Sequence, residues 1–247
     1  MLLRKVLSRK WWLTTLLVFA GTLVLIRLGI WQLDRLEGKR ALIAHVQEVQ
    51  SMPVLDLNAD VPDSISDMEY RAVKIIGIYD FENQIAVRNQ YFRDQYGYHL
   101  LTPLHTSGTA VLVDRGWVPA EGNAAPEDWR KYDEPGEVSV EGWIMLGQGK
   151  PALGGVADAL PGDGSPLEFW NNADVANIAA QLPYPILPIY IQPVVDENDL
   201  KPPIPIQSEL DLTEGSHFGY ALQWFTFAGL LFFGYPFYLR KQDLQAA

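Results

Sequence analysis

The chain has 247 residues, of which 48% are hydrophobic and 20% charged, and its formal net charge is −11. This length allows one sizeable domain with further segments, and the negative charge argues against nucleic-acid binding, which needs a basic surface. The sequence has no cysteine, which excludes disulfides, thiolate metal sites and cysteine nucleophiles.

The first predicted element is an apolar helix that crosses a membrane at residues 11–33. The range from Trp11 to Ile26 has no charged residue, and a span needs about 20 mostly apolar residues. The run reaches that length if Arg27 lies near its far end, where a long basic side chain can extend to the interface. The alternative is a signal peptide cleaved after residue 20, but the apolar run continues past that point.

A basic and aromatic face follows at the end of this span. Arg27, Trp31 and Arg35 are spaced four residues apart, so they share one face of a helix. The face either binds acidic groups of a ligand or partner, with Trp31 as a stacking surface, or anchors the helix at the membrane interface. Residues 33–50 are predicted to continue the same helix into water.

The central segment is predicted to fold as a mainly antiparallel β domain. Val, Ile, Tyr and Thr dominate six short runs separated by turn residues, which is typical of antiparallel strands. The runs begin at Tyr70, Asn83, Tyr96, Thr109, Gly136 and Tyr184. Six strands can close into a barrel or form a sandwich, and one helix at 172–182 interrupts them, with Asn172 as its cap. The Gly- and Pro-rich stretch 147–166 is predicted to be a surface loop.

A second uncharged run, residues 218–239, predicts another membrane span with aromatic residues near both ends. Basic residues flank the outer ends of both spans and mark the cytoplasmic side. We therefore expect a membrane protein of the α+β class, in which two antiparallel transmembrane helices flank one extramembrane, barrel- or sandwich-like domain with a few helices. Its predicted parts are a cytoplasmic tail (1–10), the first span (11–33), an extracytoplasmic domain (34–216), the second span (218–239) and another cytoplasmic tail (240–247).

His217 is the candidate ligand-binding residue, because it immediately precedes the second span. On a helix, Tyr220, Ala221, Trp224 and Ala228 follow it on one face. An imidazole at an apolar boundary, beside aromatic rings, can ligate a haem iron. The two alanines leave room either for a macrocycle or for close helix packing, and the alternative for the histidine is an interfacial residue without a ligand.

Other chemistry-bearing residues give weaker signals. His99 and His105 would lie on one side of a strand if that strand were unbroken. Pro103 lies between them and argues against a zinc pair. Arg115 and Trp117 are predicted to point to one side of a strand and to form a docking surface for a partner. The sequence has neither GxSxG nor HExxH and isolates no catalytic pair of carboxylates, so we do not expect an enzyme.

Five motifs, in order along the chain, resemble the signature of the Surf1/Shy1 family. They are LGIWQLDR from Leu28, EYRAVKIIGIYD from Glu69, YGYHLLTPL from Tyr96, VLVDRGWVP from Val111 and HFGYALQWFTFA from His217. The resemblance extends from about Leu28 to Arg240 and includes both predicted spans.

This resemblance implies a non-enzymatic assembly factor for haem–copper cytochrome c oxidase. Bacterial members of the family are implicated in binding haem a for delivery to the catalytic subunit, and the family's candidate haem-ligating histidine falls on His217. The resemblance therefore implies a transiently bound haem a, with oxidase subunit I and haem a synthase as partners. Tyr220 and Trp224 would lie beside the iron ligand, and the face of Arg27, Trp31 and Arg35 would meet the haem propionates or a partner.

A different class of function stays open at this point. The protein would then be a membrane-anchored scaffold that stabilises oxidase subunits or respiratory supercomplexes without binding haem, through its acidic domain and the Arg115–Trp117 surface. In either case we expect a multi-pass protein of the bacterial plasma membrane with both termini in the cytoplasm, or of the mitochondrial inner membrane in a eukaryote.

Overall fold

The computed structural model describes residues 8–106, 108–149, 156–162, 164–195, 201–207 and 210–244. Contacts divide the chain into two compact units: a helical unit, Met1–His45 with Asp211–Ala247, and a sheet unit, Val46–Leu210. Part of the predicted surface loop, residues 150–155 and 163, lies outside the described residues, as do residues 1–7 and 245–247 of the predicted tails.

The described residues form four α-helices and eight strands, with short 3₁₀ turns at Ile65–Asp67, Phe81–Asn83 and Arg130–Tyr132. In chain order the elements are α1 (Trp12–Ser51), β1 (Leu55–Asp56), β2 (Ala72–Tyr79), β3 (Ile85–Phe92), β4 (Gln95–His105), β5 (Ala110–Pro119), α2 (Pro126–Trp129), β6 (Glu137–Met145), β7 (Phe169–Trp170), α3 (Val175–Gln181), β8 (Tyr190–Pro193) and α4 (His217–Leu244).

Helix α1 joins the first predicted span and its predicted extension into one continuous helix. No proline precedes Pro53, so the helical hydrogen-bond ladder is not interrupted. The helix has 40 residues, and at about 1.5 Å per residue it is about 60 Å long, twice the ~30 Å thickness of the hydrocarbon core. Among the described residues, α1 is the one helix long and apolar enough to cross a membrane.

The second predicted span lies within α4, which has 28 residues. Gln223, Trp224 and three tyrosines make α4 more polar than the apolar part of α1. Its helical structure is therefore confirmed, while its passage through a membrane stays a prediction.

Helices α1 and α4 pack antiparallel in the helical unit. The hydroxyl groups of Thr15 and Tyr235 are 2.7 Å apart, whereas Gln32, further along α1, bonds to His217 at the start of α4. Between these two hydrogen bonds, Gly29 lies so close to Phe225 that a Cβ atom at Gly29 would be 2.6 Å from its ring. The residue numbers of the contacts thus increase along α1 while they decrease along α4, as is expected of antiparallel helices.

The sheet unit contains one mixed sheet in the order β1-β2-β6-β8-β5-β4-β3-β7. Strand β2 also pairs with β4 at its end, which joins β2, β6, β8, β5 and β4 into a closed ring. Most ladders are antiparallel, as predicted, but β1 with β2, β3 with β7, and β5 with β8 are parallel. Of the two predicted arrangements, the pairing is that of a closed barrel.

The six predicted strands correspond to β2, β3, β4, β5, β6 and β8. Strand β8 is only four residues long, because Pro185 and Pro188 in the predicted run lack the N–H group that a ladder requires. The two-residue strands β1 and β7 were not predicted, since so short a run has no periodic pattern.

Successive residues of β5 supply two separate apolar cores. Val111 and Val113 belong to a cluster with Ile75 of β2, while Leu112 belongs to a second cluster with Ile178 of α3. This alternation follows from the two faces of a strand, so one face of the ring strands is covered by α3. The predicted helix is present, but its cap is Asp174, which accepts a hydrogen bond from the Asn177 N–H group, and not Asn172.

Candidate functional site

His217 is the first residue of α4 and is half-buried. Its Nδ1 atom lies 2.8 Å from Oε1 of Gln32 on α1. An amide oxygen can only accept, so Nδ1 carries the hydrogen and donates it. In the neutral imidazole the lone pair is therefore on Nε2, which is the arrangement found when a second residue orients a metal-binding histidine.

The segment before α4 is fixed by two basic residues of α1. Nε of Arg40 donates to Oε1 of Glu214 at 2.8 Å, and its NH2 group donates to Oε2 at 2.9 Å. Nζ of Lys39 donates to the backbone oxygen of Asp211. The hydrogen bond from Arg40 lowers the pKa of Glu214. These contacts link the segment before α4, and so the start of the helix at His217, to α1.

The predicted face that follows His217 is only partly available to a ligand. Ala221 and Ala228 are buried, with 1% and 4% of their surface exposed, so these positions serve close helix packing. Tyr220 is 49% exposed, and Trp224 is half-buried with its ring edge-on to that of Phe227. The structure thus places an exposed phenol one helical turn after the imidazole, and an apolar cavity of about 310 Å³ borders Ala228 further along α4.

Arg27, Trp31 and Arg35 share a face of α1, as their spacing predicts. The Arg35 guanidinium lies 5.9 Å from the centre of the Trp31 ring, and Arg27 is 3.8 Å from the carboxylate of Asp34, with both side chains exposed. Trp31 is 44% exposed, while its neighbour Gln32 points to α4. Among the described residues, no hydrogen bond, ion pair or ring contact joins these three side chains to His217, whose partner on α1 is Gln32.

Arg115 is not a surface residue, which corrects the prediction of a docking surface. Only 2% of its side chain is exposed, and its guanidinium lies 5.2 Å and 5.0 Å from the ring centres of Tyr79 and Phe81. It donates to Oε1 of Gln84 at 3.1 Å and to Glu134 at 2.9 Å. The prediction assumed regular strand alternation, but Leu100 pairs with Gly116 and Leu101 with Asp114, so Arg115 is the extra residue of a β-bulge.

Trp117, the other half of the predicted surface, is also buried, with 3% exposed. Its Nε1 donates to the backbone oxygen of Gln90 at 3.4 Å, and its ring lies 5.5 Å from that of Phe92. Both side chains therefore contribute to the packing of the sheet unit and do not form an exposed docking surface, although Arg115 also borders a cleft of about 540 Å³.

Two polar contacts of the structure were not predicted from the sequence. Gln32 was part of a recognised motif without a role, because its partner His217 is 185 positions away. His99 was considered only for zinc, yet its Nδ1 lies 2.8 Å from Oδ2 of Asp114 on the adjacent strand. Among the described residues no three of His, Asp and Glu come close enough to hold a metal ion.

The described elements define a class of protein in which a closed mixed sheet forms one unit and two long antiparallel helices the other. The SURF1 family model matches residues 19–229, and the chain belongs to this family. The family resemblance of the five motifs is thereby confirmed.

Relatives of this family are found in animals and bacteria. Surfeit locus protein 1 of Mus musculus is 27% identical over 215 residues, covering 80% of this chain and 66% of the mouse protein. The SURF1-like protein of Rickettsia bellii (strain RML369-C) is 28% identical over 233 residues, covering 92% of this chain and 91% of that protein. The chain thus spans just under two thirds of the mouse relative and most of the bacterial one.

Proposed function

We propose that this protein is a non-enzymatic assembly factor for haem–copper cytochrome c oxidase that binds haem a through His217 and delivers it to the catalytic subunit. Family membership supports the assembly role. The observation that carries the haem role is the hydrogen bond from His217 to Gln32, because it leaves Nε2 as the ligating atom at the start of α4.

The residues present fit an axial iron ligand. A neutral imidazole is a common ligand of haem iron, and Gln32 holds this one in the tautomer that presents Nε2. Exposed Tyr220 and half-buried Trp224 would supply aromatic surface on the same helix. Haem a, when bound, supplies the redox-active iron that the oxidase needs. Arg27, Trp31 and Arg35 lie on another face of α1, so we assign them to anchoring at the interface.

The same proposal includes the location and partners of the protein. Helices α1 and α4 would cross the membrane with both termini in the cytoplasm, or in the matrix of a mitochondrion. The sheet unit would lie on the opposite side, and oxidase subunit I and haem a synthase would be the partners.

Absorption spectroscopy tests the iron ligand. The wild-type protein and the His217→Ala variant are purified from cells that make haem a, and haem per protein is measured from the spectrum. We expect the variant to lose most of its haem, while the control His45→Ala, a histidine on α1 away from the site, keeps it. Equal haem in wild type and His217→Ala would show that His217 is not the ligand.

A scaffold that never binds haem is the second candidate, and the outer face of α4 favours it. Leu230, Phe233 and Phe237 are 67%, 67% and 69% exposed, which suits packing against helices of another membrane protein. Photo-crosslinkers at these positions would then capture oxidase subunits from cells that cannot make haem a. Capture that requires haem synthesis would argue against the scaffold.

A further inference from the structure

The buried pair of His99 and Asp114 has no part in the proposed function. Their side chains are 12% and 8% exposed, and the ring nitrogen Nδ1 lies 2.8 Å from the carboxylate. The other carboxylate oxygen accepts the backbone N–H group of Gly116 at 3.1 Å. Both oxygens of Asp114 are therefore used within the protein, and Nε2 of His99 has no partner among the described residues.

This pair lines a small cleft of about 200 Å³ in the sheet unit. The cleft lies on strands β3, β4, β5 and β8, and the segments after β6 and β7 complete its wall. The remaining polar wall is made by uncharged residues, and the apolar wall by Val87, Leu101 and Ala173. Burial by itself disfavours the protonated imidazole, but the charge and hydrogen bond of Asp114 outweigh it, so the pKa of His99 is raised.

Three amide side chains of the wall each use one of their two N–H donors within the protein. The NH₂ group of Gln90 donates to the backbone oxygen of Arg88 at 3.1 Å, and that of Gln192 donates to Ile206 at 2.9 Å. A third amide, Asn171, donates to Asp158 at 2.8 Å. Among the described residues no donor reaches their side-chain oxygens, so each of these amides offers a ligand its oxygen as an acceptor and one further N–H group as a donor.

The balance of charge and hydrogen-bonding groups defines a class of ligand. With the His99 ring protonated, which is the state that Asp114 favours, the pair is neutral overall and the rest of the wall is uncharged, so the wall does not select for a charged ligand. The three amide oxygens can accept and the remaining amide N–H groups can donate, while Nε2 of His99 donates when the ring is protonated and accepts when it is neutral, and the Tyr190 hydroxyl can do either. Hydroxyl groups satisfy all of these at once. We propose that this cleft binds a small neutral polyol, such as glycerol or a single sugar ring.

The test uses the full chain in phosphatidylcholine nanodiscs, with its histidine rings labelled with ¹⁵N. Glycerol, glucose and inositol are titrated in turn, and the ring signals of His99 are followed by NMR. We expect saturable shifts with the polyols, and none with ethanolammonium or acetate as charged probes of similar size. A second set of nanodiscs containing a monoglucosyl lipid distinguishes a free sugar from a lipid-borne one.

Two variants locate the binding site. Gln90→Leu removes one amide oxygen without touching the His99–Asp114 pair, and we expect polyol affinity to fall at least about tenfold. Gln95→Leu changes an exposed glutamine of β4 outside the cleft, and we expect wild-type affinity. Melting curves confirm that both variants are folded. Saturable binding of only a charged probe, no saturable binding of any polyol, or wild-type affinity in Gln90→Leu would each overturn the proposal.

Discussion

Arg115 and Arg130 of the sheet unit make ion pairs in opposite environments. Arg115 is buried between two aromatic rings and also holds the side chain of Gln84, whereas Arg130 bonds to Glu82 with both side chains largely exposed. Exposed pairs contribute little because water screens them. Loss of a buried partner leaves polar atoms without hydrogen bonds.

We therefore predict that Arg115→Ala lowers the free energy of unfolding by about 2–3 kcal/mol, from unpaired acceptors and lost packing. Arg130→Ala, the control, should cost less than about 1 kcal/mol. Urea unfolding of the full chain in detergent, followed by tryptophan fluorescence, measures both. Similar costs for the two variants would contradict the assignment of Arg115 to the core.

His99 should make the stability of the protein depend on pH. Its pKa is raised in the folded state, so the folded protein holds the proton more tightly than the unfolded chain does. The stabilisation is complete below the unfolded pKa of about 6.5 and is lost as the pH rises through the folded value. We predict that wild type exceeds His99→Gln in unfolding free energy at about pH 6, and that the gap narrows by about pH 9.

The matched control is His105→Gln, at a half-exposed histidine of the same strand. Urea midpoints at the two pH values give the comparison. A gap between wild type and His99→Gln that does not change with pH would show that the ion pair with Asp114 does not control this titration.

Gln32 is predicted to orient His217. Gln32→Ala should remove the acceptor of Nδ1–H and let the ring populate both tautomers, and ¹⁵N NMR of the haem-free protein detects that change. If the protein binds haem through His217, haem affinity should fall about 10–100-fold, which is typical when an orienting residue is lost. Gln47→Ala, an exposed glutamine of α1, is the control, and an unchanged tautomer in Gln32→Ala would refute this role.

At the scale of the elements, two glycines of α1 differ in what surrounds them. A Cβ atom at Gly29 would lie within 2.9 Å of three atoms of the Phe225 ring, whereas one at Gly38 would meet nothing within 4 Å. Alanine favours a helix over glycine by about 1 kcal/mol. Gly29→Ala should therefore push α1 and α4 apart, whereas Gly38→Ala should stabilise α1 slightly.

Because the sequence has no cysteine, a pair of introduced cysteines can report the separation of α1 and α4 by crosslinking. Thr15→Cys with Tyr235→Cys places two thiols at facing positions of α1 and α4, whose native hydroxyls are 2.7 Å apart, and a short bifunctional thiol reagent can bridge the space that the tyrosine ring leaves. We predict that Gly29→Ala lowers the yield of this crosslink severalfold, that Gly38→Ala does not, and that adding Phe225→Ala to Gly29→Ala restores it. Undiminished crosslinking in Gly29→Ala would mean that the close contact does not set the helix packing.

The helices and strands show which parts of the fold could be predicted from the sequence. Apolar length predicted α1, and β-branched residues separated by turns predicted six strands, because these signals are local. The site could not be predicted in the same way. Arg115 was assigned to the surface because alternation cannot foresee a bulge, and the bond between Gln32 and His217 depends on two helices far apart in sequence.

At the scale of the whole molecule, the distribution of basic residues predicts the orientation in a membrane. Lys and Arg precede the apolar part of α1 and follow that of α4, so both termini should be cytoplasmic. A tag at either end should therefore resist labelling from outside intact cells and react after the cells are opened. A control tag inserted at Gly108, an exposed residue of the sheet unit, should react from outside. An externally labelled terminus would contradict this predicted orientation.

Strand β8 completes the ring between β5 and β6, yet it is the last of the described strands to leave the ribosome. Synthesis at about 5–20 residues per second leaves the free edges of β5 and β6 unpaired for several seconds, and unpaired edges invite pairing with other chains. A chain that stops before Tyr190 keeps both edges open permanently. Premature stop codons ahead of this residue should therefore yield aggregates, whichever ligand the finished protein carries.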